Sequence, residues 1–364
     1  MKNFIFKTKP YAHQLKAFEI SAEAENFALL MDMGTGKTKV CIDSIAHNFE
    51  EKRIVFSLIV APKGVIANWI SEIGAHLPDH IERQVVLWKP SLTKAKRKEL
   101  LDLSEPSSKL KILLMNIEAF STKKGTDVAS FFVKKFSTFI VVDESTTIKN
   151  RQAKRTKALC SIGKEAQFRR ILTGSPVTKS PLDLYSQMNF LDPRILGFKS
   201  FYAFQGRYAV VQRRTMGSHS FNHIVGFQRL DELTEKLKTC SYRIRKEDCL
   251  DLPDKVYTSR QVELTKEQEK AYIQMRHLAL ARLEKGEMAT TKNVLTQIMR
   301  LQQICLGHLT DDEGLVHEVQ SNRLPELLNI CEEIQGKAII WATWTRDIRS
   351  IAEALRDRFS VPAV

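Results

Sequence analysis

From Phe27 to Pro62 the chain reads FALLMDM, then GTGKT, then KVCIDSIAHNFEE and, past Lys52-Arg53, IVFSLIVAP. An apolar run, a glycine-rich turn, a helix-length segment and a second apolar run make a βαβ unit, with strands apolar on both faces because helices cover both. Further short apolar runs follow at Gln84-Val-Val-Leu, Lys111-Ile-Leu-Leu-Met, Phe139-Ile-Val-Val and Arg170-Ile-Leu. Each is bounded by polar or helical sequence, as strands of the same sheet are. Up to Pro193 the chain therefore reads as one α/β domain.

The turn Gly34-Thr35-Gly36-Lys37-Thr38 joins strand to helix, where backbone N–H groups and a helix N-terminus cradle phosphates. Lys37 would reach the β and γ phosphates, and the Thr38 hydroxyl would ligate Mg²⁺. The full GxxxxGK[ST] pattern is not met, because Met31 stands where its first glycine belongs. An ordinary glycine turn is the alternative. Phe139-Ile-Val-Val runs into Asp143-Glu144, two carboxylates closing a buried strand. Acids in an apolar run are costly unless they have a task. In a nucleotide site Asp143 holds Mg²⁺ through water and Glu144 polarises the attacking water; otherwise the strand is simply leaving the core. With 106 residues from Lys37 to Asp143, and in this order, the two motifs together imply a P-loop NTPase.

The chain is 364 residues long, with 43% apolar and 27% charged side chains. That composition excludes a disordered chain and a fibrous repeat, and the length allows two or three domains. The longest apolar run, Ile54 to Pro62, falls far short of the ~20 residues that cross a bilayer. The start, Met1-Lys2-Asn3-Phe4-Ile5-Phe6, lacks the apolar stretch of a secretory signal. Six scattered cysteines, with no CxxC pair and no zinc-type Cys-His spacing, are expected as free thiols with no structural metal. Fifty-six Lys and Arg against 42 Asp and Glu give a net charge of +14, which favours polyanions such as nucleic acid. The window Arg194 to Lys246 holds 11 of the basic residues and only 3 acids.

Past Pro193 the texture turns aromatic and basic. Tyr208 to Gly226 reads as strand, turn at Met216-Gly-Ser-His-Ser, and returning strand, a β-hairpin. Leu230 to Lys238 has the pattern of a short amphipathic helix, and Asp251-Leu-Pro-Asp is the best linker. Thr265 to Glu284 and Thr291 to Ile304 carry helical spacing, the first opened by a capping box at Thr265-Lys-Glu-Gln268. Leu324 to Ile334 is a further helix. Lys337-Ala-Ile-Ile-Trp reads as a buried strand, with Trp341 and Trp344 in the core, followed by a helix from Thr345 to Phe359.

These motifs resemble the Swi/Snf-type ATPases of helicase superfamily 2. His13-Gln14 is similar to that family's adenine-reading glutamine segment, and MDMGTGKT to its DEMGLGKT loop, which also lacks the first glycine. Val60-Ala-Pro-Lys63 with Asn68-Trp-Ile-Ser-Glu72 resembles motif Ia, and Leu114-Met-Asn-Ile-Glu118 motif Ib. Asp143-Glu-Ser-Thr-Thr-Ile-Lys-Asn150 resembles DEAHRIKN, and Leu172-Thr-Gly-Ser-Pro176 through Pro193 resembles motif III and its extension. Tyr242-Arg-Ile-Arg-Lys-Glu-Asp with Asp251-Leu-Pro-Asp-Lys is similar to the RRxKxDV…DLPxK junction. Ile298 to Cys305 resembles the LRKIC helix, and Lys337 to Trp344 resembles motif IV.

The resemblance implies a RecA-like ATP-binding lobe over residues 1–195 and a DNA-gripping helical and β-hairpin insertion over 196–250. A linker and helical insertion of a second lobe would follow over 251–322, with an incomplete second RecA-like lobe over 323–364. It implies ATP and Mg²⁺ as cofactors, with the nucleotide held by Gln14, Gly34, Thr35, Gly36, Lys37 and Thr38. The metal would sit on Thr38 and Asp143, and catalysis would rest on Glu144, Asp143 and Lys37. Double-stranded DNA is the implied partner, its phosphates touched by Lys63, Asn68 and Lys149 and by Arg207, Arg213 and Arg214 on the hairpin. A solvated basic face is the alternative for those arginines. The implied activity is ATP-driven translocation on DNA, in the cytoplasm of a bacterial or phage-infected cell.

Two departures from the family pattern stand out. Thr146 replaces the histidine of DEAH, and the later motifs, with the arginines that complete the ATP site, have no counterpart before Val364. Either the chain is C-terminally shortened or it needs another chain, and by itself it is expected to hydrolyse ATP very slowly. A binding module for ATP and DNA with no productive turnover is the alternative.

Overall fold

In the computed structural model, residues 4–359 are described apart from 92, 217, 218, 252, 285–290 and 312. The hairpin turn at Gly217-Ser218 and Leu252 of the linker lie outside the described residues. The chain divides into two compact units, Met1–Pro253 and Asp254–Val364.

The first unit is built on a seven-stranded, all-parallel sheet. Its strands are β1 (Asn26–Met31), β2 (Phe56–Ala61), β3 (Arg83–Leu87), β4 (Leu110–Asn116), β5 (Thr138–Asp143), β6 (Phe168–Leu172) and, after the β7–β8 hairpin (Ala209–Met216 and His219–Phe227), β9 (Ser241–Ile244). The spatial order is β3-β4-β2-β5-β6-β1-β9. All six apolar runs expected as strands of this sheet pair as such. Alternate residues of β1 enter opposite cores: Ala28 and Leu30 pack on one side, Phe27, Leu29 and Met31 on the other. Helices α1 (Ala12–Ser21), α2 (Lys37–Glu50) and α3 (Ile66–His76) contribute Phe18, Ile45 and Trp69 to the second core. The opposite core is covered by α5 (Lys123–Lys135), α6 (Lys154–Gly163) and α7 (Leu184–Leu191), with Phe132, Leu159 and Phe190; α4 (Lys94–Ser104) adds Leu103. Burial on both faces explains why these strands read as unbroken apolar runs.

Arg170 is the exception within β6, fully buried under α1. Its guanidinium donates to the carbonyls of Ser21, Ala24 and Glu25 and lies over the Phe139 ring, which satisfies backbone acceptors where α1 ends. Burial lowers its pKa to about 10.

After α8 (Pro193–Leu196) and α9 (Phe201–Tyr208) comes the expected hairpin, antiparallel with a bulge at Val210/Val211. Helix α10 (Leu230–Lys238) leads into β9. That strand was not foreseen: Ser-Tyr-Arg-Ile is short, and its partner β1 lies far back in the sequence.

The second unit holds α11 (Lys266–Glu284), α12 (Thr291–Leu306), the two-stranded β10 (His308–Thr310) and β11 (Val316–Glu318), α13 (Arg323–Glu333) and α14 (Thr345–Phe359). The capping box forms: Gln268 N–H donates to Thr265 Oγ1 at 3.2 Å and Thr265 N–H donates to Gln268 Oε1 at 3.1 Å. Lys337 to Trp341 is not a strand, contrary to expectation. Trp341 is 90% exposed and Ile339 82%, so Trp341 is not a core residue. Among the described residues, β10 and β11 pair only with each other, and an apolar run without a neighbour to bond its backbone forms no ladder. Trp344 is half-buried, edge-on to His308.

Candidate nucleotide site

Strand β1 delivers the chain to Asp32 at the carboxyl end of the sheet, where α/β folds place their ligands. Gly34 and Gly36 both have left-handed backbones, with φ of 82° and 85°. These angles let the loop double back beneath the first turn of α2, which begins at Lys37 with no side chain capping its N-terminus. Helix N-terminal amides without a capping side chain form a phosphate cradle. A side chain at Gly36 would also collide with the Gln14 amide. Gln14 and His13 both donate to the carbonyl of Thr35, at 3.1 and 2.8 Å, and Gln14 Oε1 accepts from Tyr11 N–H. Gln14 thus ties the loop to the start of α1, with one end of its amide on each.

Lys37 donates to the carbonyl of Asp32 at 3.1 Å. Burial holds its ammonium below the ordinary lysine pKa, against the pull of Asp143, Glu144 and Asp32. Strand β5, central in the sheet, ends on Asp143. One carboxylate oxygen accepts from Trp69 Nε1 at 2.8 Å and the other from Glu144 N–H at 2.9 Å. Burial raises the Asp143 pKa, with those hydrogen bonds and Lys37 opposing it. Trp69 was grouped with motif Ia but not foreseen as the residue that aims Asp143.

Glu144 adopts φ 49°, a conformation uncommon for a residue with a side chain. The turn directs its carboxylate at two hydroxyls, Thr146 Oγ1 at 3.0 Å and Thr173 Oγ1 at 3.2 Å, both donating to Oε1. Thr146 thus occupies the DEAH histidine's place as a short donor to the neighbouring acid. Thr173 belongs to the Thr-Gly-Ser-Pro segment, whose Gly174 would put a Cβ 3.3 Å from Asp32 Cα. Ser145 donates to Gln187 on α7, which in turn holds the carbonyls of Pro176 and Asp183. The acid pair and the Thr-Gly-Ser-Pro segment are therefore hydrogen-bonded together, and Gly174 packs against Asp32 at the base of the phosphate loop.

The residues fit a magnesium nucleotide. Among the described residues, the α2 N-terminus has no capping side chain and Lys37 bonds only a backbone carbonyl, while burial opposes the charge of the Asp143 carboxylate. When bound, Mg²⁺ would be held by the half-buried Thr38 and by Asp143, neutralising phosphate charge.

The expected DNA contacts scatter more widely. Lys63 and Asn68 are exposed on the 3₁₀ turn after β2 and on α3. Lys149 is half-buried and bonded to Thr178, which Asp183 also holds. Arg207 is not on the hairpin: it ends α9 and pairs with Glu232 of α10 at 2.6 Å, its charge already answered. Arg213 and Arg214 are on β7, exposed and without an ion pair among the described residues. As neighbours in a strand they point to opposite faces of the ribbon.

The profile of the SNF2-related domain matches residues 13–308. An uncharacterised ATP-dependent helicase of Mycoplasma genitalium is 28% identical over 332 residues, 90% of this chain and 29% of its own length. The human helicase-like transcription factor is 26% identical over 323 residues, 84% of this chain and 30% of its own. The chain thus spans under a third of the length of these curated relatives. Among solved structures, the Sulfolobus solfataricus SWI2/SNF2 ATPase core in complex with double-stranded DNA superposes with a TM-score of 0.52 at 22% identity, over 99% of this chain and 73% of that one. That likeness supports the RecA-like α/β fold. With a phosphate loop beside a buried Asp143, a half-buried Glu144 bonded to a Thr-Gly-Ser-Pro segment, and a family match over most of its length, the chain belongs to the SNF2-related domain family of superfamily 2 ATPases.

Proposed function

We propose that the chain carries the ATP-binding machinery of an ATPase that moves on double-stranded DNA, with residues 1–195, joined in one sheet by β9, as nucleotide lobe and the rest of 196–250, with the β7–β8 hairpin, as DNA-gripping insertion. Residues 251–322 and 323–364 are assigned to the linker with its helical insertion and to a second lobe. The observation that carries this reading is the buried Asp143, held by Trp69 and Glu144 N–H, with its charge acting on the ammonium of Lys37 at the loop. Gly34 to Thr38 cradle the phosphates, Gln14 meets the adenine, and Glu144, steered by Thr146 and Thr173, takes the proton of the attacking water. Lys63, Asn68, Lys149, Arg213 and Arg214 are assigned to DNA phosphates; Arg207 joins them only when it leaves Glu232. Phosphate contacts position a duplex without reading its sequence, which suits a motor. The Sulfolobus core's complex with double-stranded DNA supports the choice of duplex.

Calorimetry tests the first part: the protein should bind ADP or ATP with Mg²⁺, and Lys37→Ala should abolish binding. Equal affinity in the variant would remove the phosphate-loop assignment. The 364 residues alone are expected to turn ATP over slowly, since a supplied arginine contributes about 10³–10⁵ in rate in NTPases that use one. Glu144→Gln should lower the remaining rate by about 10²–10⁴-fold, while leaving nucleotide affinity unchanged.

A further inference from the structure

A second lysine lies at the lip of the phosphate loop. Strand β9 runs parallel to β1, in register from Ala28 with Ser241 to Met31 with Ile244. The ladder continues past both strands: Asp32 N–H donates to the carbonyl of Ile244 at 3.1 Å, and Lys246 N–H donates to Asp32 Oδ2 at 3.1 Å. The chain then turns back on itself, with the Lys246 carbonyl accepting from Leu250 N–H at 3.0 Å. These bonds hold the Lys246 backbone beside the residue whose carbonyl also receives Thr35 and Lys37. The Lys246 side chain folds over Gly34, such that a Cβ on that glycine would lie 3.1 Å from its Cε and 3.4 Å from its Nζ.

Gly34 and Lys246 are both exposed, and among the described residues the ammonium makes no ion pair or side-chain hydrogen bond. An unpaired cation held at the rim of an anion cradle adds attraction for the anion while leaving the entrance open. Gly34 opens the loop that Lys37 follows by three residues, so the Lys246 ammonium lies against the same loop that carries Lys37.

We propose that Lys246 is a phosphate-contacting residue of the nucleotide site, with a stronger hold on a nucleoside triphosphate than on a diphosphate because the added phosphate carries the added charge. The proposal rests on the phosphate-loop reading above. It adds to that site a residue that follows the edge strand β9 beside β1.

The experiment is nucleotide binding to the full chain by calorimetry, with MgADP and a non-hydrolysable Mg-ATP analogue, for the unaltered protein, Lys246→Ala, Lys246→Gln, Lys246→Arg and Lys37→Ala. Loss of one charge-assisted contact is expected to weaken the triphosphate about tenfold in Lys246→Ala and Lys246→Gln, and the diphosphate about two- to threefold. Lys246→Arg should stay within about twofold of the unaltered protein. Without nucleotide, all the Lys246 variants should melt together, since among the described residues the Lys246 ammonium makes no ion pair or hydrogen bond. Unchanged triphosphate affinity in Lys246→Ala and Lys246→Gln, while Lys37→Ala loses binding, overturns the Lys246 proposal alone. Lys246→Arg as weak as Lys246→Ala also overturns it, because the loss then follows the loop's shape and not the charge. Full affinity in Lys37→Ala removes the phosphate-loop reading, and the Lys246 proposal with it.

Discussion

At the residue scale, the nucleotide site is arranged by groups whose own chemistry is constrained. Beneath the loop, on α2, Asp43 bonds Lys39 at 2.7 Å through one oxygen, while the other is buried without a partner. Burial raises its pKa to about 6, with Lys39 opposing the shift. The folded state therefore binds the Asp43 proton more tightly than the unfolded chain, whose value is near 3.8. The stability from holding that proton is full below about pH 4 and is lost as pH rises through about 6. The unfolding midpoint of the protein relative to Asp43→Asn should fall by the equivalent of about 2–3 kcal/mol from pH 4 to pH 7. A flat difference in chemical denaturation across that range would show that Asp43 titrates normally. None of this was legible in Lys-Val-Cys-Ile-Asp, where the acid reads as an ordinary helix charge. Lys37, Asp143 and Glu144 were legible because the chemistry of phosphate transfer restricts which residue types can stand there. Trp69 and Lys246 were not, since their roles come from contacts that neighbours in sequence do not reveal.

At the element scale, the β7–β8 hairpin carries the DNA reading, and its pleat sets what a substitution can do. Arg213 pairs in register with Asn222 and Arg214 with Phe221, so the two guanidiniums leave opposite sides of the ribbon. If one face meets the duplex, Arg213→Ala and Arg214→Ala should weaken binding unequally. Only the facing variant should lower the slope of log K against log salt, by about 0.9. Filter binding on two unrelated duplexes over a salt series measures this, and equal, slope-neutral effects would leave the arginines as solvated charges. The hairpin was legible as an element because alternating strand residues flank a Gly-Ser turn. Arg207 was misplaced by one element: Phe-Gln-Gly-Arg-Tyr precedes the first strand as a helix, and only Glu232, in a later helix, explains its position. The run Lys337 to Trp341 shows the converse. Its residue types suit a strand, but a strand is a pairing, and no sequence window contains the partner.

At the scale of the whole molecule, the division at Pro253 falls beside residues 253–264, which carry no helix or strand, with Val256 and Tyr257 more than four-fifths exposed. Limited proteolysis should cut first in this stretch and release a product of about 29 kDa, at roughly 0.11 kDa per residue, that still binds nucleotide. A first cut inside the sheet, or a product unable to bind, would count against the unit as drawn. The strand order has a further consequence, for synthesis. Although β1 is made first, its neighbours in the sheet are β6 and β9, the last two strands of the sheet to be made. On a ribosome adding about 5–20 residues per second, β1 waits roughly 10–40 s for β9. Through that interval the nascent chain shows a bare apolar strand edge at the place that will become the nucleotide loop. Every residue assigned to the nucleotide except Lys246 is already made before β9, while the β9 side of β1 stays without its partner strand until Ile244 emerges.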